Sequence, residues 1–124
     1  GAALNLCNFA LRGADCDIHP EVNRIIGEML TANKPLGFIC IAPVLCARTA
    51  KNANKNATIT IGNDQATADQ IEKLGSQHIA CTVDDFIVDE NNKIVSTPAY
   101  MLAGSISEAA LGIEKLVQKI VSWT

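Results

Sequence analysis

An α/β domain, with strands and amphipathic helices alternating around a parallel sheet, is what this sequence predicts. Leu36-Gly37-Phe38-Ile39-Cys40 is a short apolar run without polar alternation. Such a run reads as a strand buried on both faces, as in a parallel sheet. Val22, Ile25, Ile26, Met29 and Leu30 recur at helical spacing just before it, and Ile106 to Val121 carry a wide apolar face near the other end. Between them Asp89-Glu90-Asn91-Asn92 separates two β-branched runs, a hairpin signature. Helix, strand, helix, strand, helix, hairpin, helix is an alternating α/β order.

Each element has its own local reason. Leu4, Leu6, Phe9 and Leu11 suggest a first helix from about Ala3 to Arg12, closed by a turn at Gly13-Ala14-Asp15. Pro20 and Glu21 suit the first turn of the second helix, and Asn33-Lys34-Pro35 ends it. Lys51 to Asn56 is a polar, solvated loop rather than a phosphate site. Ala57 to Ile61 alternates as a strand ending at Gly62, and Thr67 is placed to cap a helix over Ala68 to Leu74, stopped by Gly75. Gln77 to Thr82 is extended, and the hairpin strands are Asp85 to Val88 and Lys93 to Ser96. Pro98 ends the second of them, because proline cannot donate to a ladder. Ser105 and Glu108 have capping-box spacing at the head of the long last helix.

Composition narrows the function. The chain has 124 residues, 48% hydrophobic but 4% aromatic, so its core is built from Ile, Val, Leu and Ala. A net charge of −3 without a basic stripe argues against a nucleic-acid partner, and no apolar run is long enough to span a membrane. The N-terminus lacks the layout of a signal peptide. Cys7, Cys16, Cys40, Cys46 and Cys81 are odd in number and lack C-x-x-C spacing, which suits reduced thiols in a cytoplasmic protein. With only His19 and His78 no zinc spacing appears, so neither a metal nor another cofactor is expected. His78 is expected to be a structural histidine and His19 to sit at a helix start.

Cys40 is the candidate nucleophile. The strand ends there, and Pro43, three residues on, suits the first turn of a new helix. Ala42 is small enough to let that helix cross close above the strand. This is the strand-turn-helix geometry of a nucleophile elbow. A thiol at the elbow faces unpaired N–H groups and the positive end of a helix dipole, which favour thiolate and can hold an oxyanion. The competing account is a buried, inert cysteine behaving as a small hydrophobe.

An ordered set of motifs resembles a known family. It comprises Gly1-Ala2-Ala3 with Asn5-Leu6, Lys34-Pro35-Leu36-Gly37-Phe38-Ile39-Cys40-Ile41-Ala42-Pro43, Thr60-Ile61-Gly62, Val83-Asp84-Asp85, Val88-Asp89, Asn92-Lys93-Ile94-Val95 and Thr97-Pro98-Ala99-Tyr100-Met101-Leu102-Ala103. Together they resemble the sigma cross-reacting, ElbB-type glyoxalase family, a PfpI-like branch of the class I glutamine amidotransferase-like superfamily. The resemblance implies a flavodoxin-like three-layer sandwich with a mostly parallel sheet and a small hairpin. It implies that residues 1–124 are the C-terminal portion of one such domain, whose N-terminal strands are missing from this chain. It carries the nucleophile onto Cys40, one oxyanion donor onto the N–H of Ile41, and another onto Gly1 as the last glycine of an otherwise absent loop. A glutamate that approaches the cysteine in the family has no counterpart here. Amidotransferases also pair the cysteine with a late His and Glu, and Thr97-Pro98-Ala99-Tyr100 supplies neither.

The function that the resemblance implies is a cofactor-independent glyoxalase that converts glyoxal to glycolate, or a related deglycase. The partners expected are a small dicarbonyl substrate, a second copy in a homodimer, and the missing N-terminal segment. The alternatives are a non-enzymatic thiol redox sensor and an amidotransferase-like regulatory scaffold linked to isoprenoid metabolism.

Overall fold

The structure, a computed structural model, describes residues 2–124. The elbow strand, β1 (Leu36–Ile39), pairs in parallel with the central strand of its sheet, β5 (Ile94–Thr97), Leu36 opposite Ile94 and Ile39 opposite Thr97. On its other edge β5 pairs antiparallel with β4 (Ile87–Asp89), the first arm of the expected hairpin. β2 (Thr58–Ile59) and β3 (Gln77–His78) form a separate parallel pair. Side chains tie this pair to the larger sheet. The Thr60 N–H donates to Ser96 Oγ at 2.9 Å, and the Thr58 N–H donates to Asp89 Oδ2 at 2.9 Å.

Helices cover both faces. α3 (Pro20–Thr31) and α4 (Pro43–Asn52) pack together on the side of Phe38, around a core that includes Ile26, Leu30, Val44, Leu45 and Ile59. Successive strand residues point to opposite faces, so Gly37 looks the other way, onto α6 (Ile106–Ser122). A Cβ at Gly37 would sit 2.6 Å from Ile120 Cδ1 and 2.9 Å from Leu116 Cδ2. Glycine lets α6 lie directly on the strand. Gly112 does the same from the helix side, where a Cβ would come 2.5 Å from Thr97 Oγ1 and 2.7 Å from the Val83 carbonyl oxygen.

Several expectations are corrected. β1 is not buried on both faces: Phe38 is buried, Leu36 and Ile39 are half-buried and Gly37 is exposed. The strand lies at the end of the sheet order β1-β5-β4, so one of its edges has no described neighbour. The single helix over Ala3 to Arg12 is two four-residue helices, α1 (Ala3–Leu6) and α2 (Phe9–Arg12). Cys7 breaks it by bridging to Ile18, flanked by His19 N–H to Leu6 O at 2.7 Å and Asn8 N–H to Asp17 O at 3.2 Å. The strand read over Ala57 to Ile61 keeps ladder pairing only at Thr58 and Ile59. Beyond them the backbone turns to side-chain acceptors, Ser96 for Thr60 and His78 for Ile61.

The cap of α5 (Gln65–Lys73) is Asp64 rather than Thr67. Asp64 Oδ2 accepts from the Thr67 N–H at 3.0 Å and from Thr67 Oγ1 at 2.6 Å, and these bonds hold its carboxyl below the usual range. Asp64→Ala is expected to cost about 1 kcal/mol in urea unfolding, and Thr67→Ala less, since that change keeps the backbone bond. The spacing of Ser105 and Glu108 does form a cap. The Glu108 N–H donates to Ser105 Oγ at 3.3 Å, and Glu108 Oε2 accepts from the Gly104 N–H at 2.7 Å.

Candidate active site

The elbow is present in the backbone. β1 ends at Ile39, one residue earlier than expected, and Cys40 takes the left-handed region with φ of +67°. α4 then begins at Pro43, in the N1 position that proline favours. A non-glycine residue holds such a conformation only when its surroundings over-determine it. Here the Cys40 N–H donates to Thr97 O at 3.0 Å, the Ala42 N–H to Ile39 O at 3.2 Å and the Val44 N–H to Ile41 O at 3.1 Å. The strand before, the helix after and the neighbouring strand all fix the turn. The N–H of Ile41 has no acceptor among the described residues. It is free to donate to a ligand beside the half-buried Cys40 thiol. Gly1, the other expected oxyanion donor, lies outside the described residues.

The remaining cysteines are set differently. Cys46 is fully buried, and burial, reinforced by the Asp89 charge, pushes its thiol far up. Burial likewise raises Cys16, with a smaller contribution from nearby Cys7. Cys81 is pushed to about 11 by burial and then by Asp85 and Asp84. Cys7 Sγ donates to Ala3 O at 3.3 Å. Cys40 is the cysteine placed at a turn between a strand and a helix of useful length. A cavity of about 80 Å³ opens next to Ile41, with Val44, Cys7, Phe9, Ala3 and Leu4 also in its lining; the thiol that lines it is that of Cys7, while Cys40 stands one residue before Ile41, outside the lining.

Sequence reasoning missed what closes the site from the β5 side. Thr97 supplies the carbonyl that anchors Cys40, and Ala99, two residues on and fully buried, also lies at positive φ, +43°. The one available signal was Pro98, which ends the strand. Among the described residues no group of three or more His, Cys, Asp or Glu side chains is placed to hold a metal ion.

Neither histidine is brought to Cys40 by any bond in the structure. His19 caps α3, its Nδ1 accepting from the Glu21 N–H at 3.2 Å. His78 sits on β3, where its Nε2 accepts from the Ile61 N–H at 3.1 Å. Burial depresses its pKa below 6.5, while Glu72 pulls the other way. An accepting Nε2 must be unprotonated. The unfolded chain therefore binds this proton first as pH falls. The stability that His78 contributes is complete above its unfolded value and is lost as pH drops through the folded one. His78→Gln is expected to flatten the loss of stability between about pH 7 and pH 5, read from urea midpoints.

Comparison with known proteins places this geometry among relatives. No protein-family model matches the chain. All of the chain aligns at 37% identity over 133 residues with the ES1 protein homolog of Rattus norvegicus, covering 48% of that protein. It aligns equally, at 37% identity and 48% coverage, with glutamine amidotransferase-like class 1 domain-containing protein 3 of Homo sapiens. Its homologues are ES1-type, class I amidotransferase-like proteins. The resemblance stated from the motifs is borne out.

A solved structure agrees. The isoprenoid biosynthesis protein with an amidotransferase-like domain from Ehrlichia chaffeensis superposes with a TM-score of 0.80 at 31% identity, over 86% of this chain and 49% of its own. The expected flavodoxin-like, amidotransferase-like fold is the fold observed. The chain spans about half the length of the curated relatives it matches. The rat and human proteins carry a mitochondrial location in their names, which the cytoplasmic expectation does not share. No helix of the described residues is long and apolar enough to cross a membrane.

Proposed function

We propose that this ES1-type chain supplies the nucleophilic half of a cofactor-independent site acting on small dicarbonyls, with glyoxal to glycolate as its reaction and deglycation as a variant. The observation that carries the proposal is the strained elbow: Cys40 at φ of +67° beside an Ile41 N–H that has no acceptor among the described residues. The Cys40 sulfur adds to one aldehyde carbon, and Ile41 donates to the oxygen that becomes negative, giving a hemithioacetal. A base removes the proton from that carbon, and the adjacent carbonyl takes up a proton, passing through an enediol to a glycolyl thioester. Water cleaves the thioester to glycolate and the free thiol. The net change is addition of one water, so no external oxidant or reductant enters.

The small apolar cavity beside Ile41 suits a two-carbon substrate better than a bulky one. No His or Glu follows β5 where amidotransferases carry them, so glutamine hydrolysis is disfavoured. The base that the resemblance implies has no counterpart among the 124 residues. We place the reaction in a reducing compartment, cytosol or organelle matrix, where the five thiols remain free.

The test is conversion of glyoxal in heavy water, followed by NMR. The chain is assayed alone and with a separately produced segment of the human relative, the part outside the region it shares with this chain. The proposal predicts glycolate with one deuterium on carbon, the mark of an enediol. Absence of glycolate from both samples would overturn it. Peroxide oxidation of Cys40 without dicarbonyl turnover would favour a redox sensor instead.

A further inference from the structure

Lys51 to Asn56 reads in sequence as a solvated loop, and the structure adds what spacing could not show. α4 ends at Asn52 and α5 at Lys73, and these two ends lie side by side. A cavity of about 330 Å³ opens between them, with Lys51, Asn54, Lys55, Asn56, Lys73 and Gly75 in its lining. Three cationic side chains from two helices and a loop thus share one concave surface. No carboxylate lines it.

The fold makes no use of these three ammonium groups. Among the described residues none of them forms an ion pair or a hydrogen bond, whereas Arg24, Lys115 and Lys119 each hold a partner. A lysine in the last turn of a helix often serves the exposed carbonyls there. Here backbone groups serve them instead. The Ala53 N–H donates to Thr49 O at 3.0 Å, the Asn54 N–H to Lys51 O at 3.1 Å and the Lys55 N–H to Ala50 O at 2.8 Å. At the end of α5 the Leu74 N–H donates to Gln70 O at 3.2 Å and the Gly75 N–H to Glu72 O at 2.9 Å. Nearby carboxylates are occupied elsewhere. Glu72 Oε1 accepts from the His78 N–H at 2.9 Å, and Asp89 is taken up by Thr58 and Asn92. Like charges gathered in this way repel one another, and an anion between them removes that repulsion.

The backbone contributes a donor as well. The N–H of Asn56, in the same lining, has no acceptor among the described residues. The peptide that follows it is pinned at both ends, Asn56 O by Asn92 Nδ2 at 2.8 Å and the Ala57 N–H by Ser76 Oγ at 3.3 Å. A free donor is therefore held among the three lysines.

We infer that this cavity binds the diphosphate group of a small molecule. Lysine serves phosphate as a point charge rather than as a fixed fork, so recognition takes a cluster of them. Three ammonium groups spread over the cavity suit the oxygens of two linked phosphates better than those of one. The side-chain amides of Asn54 and Asn56 supply neutral donors beside them. Ten residues of α4, about 15 Å of helix, separate the cavity from the elbow. The inference stands apart from the dicarbonyl chemistry, and its test reads no activity.

Inorganic pyrophosphate is the probe, titrated at low salt into the 124-residue chain while backbone amides are followed by NMR. The amides of Asn54, Lys55, Asn56 and Gly75 are expected to shift along one saturating curve. Inorganic phosphate should bind about tenfold more weakly. Lys55→Gln and Lys73→Gln should each weaken pyrophosphate binding about fivefold or more, with the melting temperature of the free chain unchanged because neither ammonium has a bond to lose. Lys115→Gln, on α6, should bind pyrophosphate within about twofold of the parent. Shifts that fail to saturate, or that appear equally around Arg24 and Lys115, would overturn the assignment. So would a Lys73→Gln variant that binds as tightly as the parent. Equal affinity for phosphate and pyrophosphate would overturn it too, leaving a general anion patch.

Discussion

Cys40→Ser is expected to lower glycolate formation from glyoxal about a thousandfold or more while leaving the melting temperature unchanged. The hydroxyl occupies the same place at the elbow, so the turn, its hydrogen bonds and the Ile41 N–H are retained. What disappears is the sulfur nucleophile, and no His or other base is bonded to the residue to activate an oxygen in its stead. Stability should hold because Cys40 is only half-buried and its side chain anchors no core contact. Cys7→Ser and Cys81→Ser are the controls: both lie off the elbow, Cys7 in the cavity lining and Cys81 away from it, and both should keep the parent rate within about twofold. NMR rates read beside thermal melts check all three variants. Equal loss in Cys7→Ser would move the nucleophile into α1–α2 territory.

Asp89→Ala is expected to destabilise the fold by roughly 2–4 kcal/mol, read as a fall in urea midpoint with unchanged slope. Asp89 is 7% exposed and accepts three hydrogen bonds. Oδ2 takes the Thr58 N–H at 2.9 Å and Asn92 Nδ2 at 2.9 Å, and Oδ1 takes the Asn92 N–H at 3.1 Å. Those bonds fasten β2 to the β4–β5 hairpin and shape the hairpin turn. Alanine leaves the Thr58 N–H beside a sheet it can no longer bond to. Asp89→Asn keeps one acceptor oxygen and should lose less. An alanine variant as stable as the parent would show that water replaces the carboxylate, and that the Thr60–Ser96 bond and apolar contact suffice to hold the two sheets together.

The elbow and the long last helix were legible because each is specified locally. Pro43 can start a helix at little cost, the run before it can only be a strand, and Cys40 falls between them. The Ile106–Val121 periodicity and the Ser105 cap likewise act within a few residues of each other. Misread elements were those decided by distant partners. Leu4 to Leu11 has helical spacing, but the Cys7 bridge to Ile18 breaks it. Thr67 has the chemistry of a cap, yet Asp64 stands three residues earlier and accepts from it. Apolarity of Leu36 to Ile39 says what the strand is built to bury, not which of its edges this chain covers. Asp89 reads as a turn residue in sequence, and only the register of β2 against the hairpin reveals its structural role. Candidate nucleophile and elbow followed from spacing, whereas the Thr97 and Ala99 side of the site required the β1–β5 pairing.

The most direct measurement of the central claim is alkylation of the five thiols by iodoacetamide, mapped by peptide mass, with and without excess glyoxal. A hemithioacetal forms reversibly at the nucleophile. Glyoxal is therefore predicted to slow alkylation of Cys40, to leave Cys7 and Cys81 unaffected, and to release Cys40 again on dilution. Alkylation of Cys40 at the same rate in the presence of glyoxal would contradict its assignment as the group that attacks the dicarbonyl.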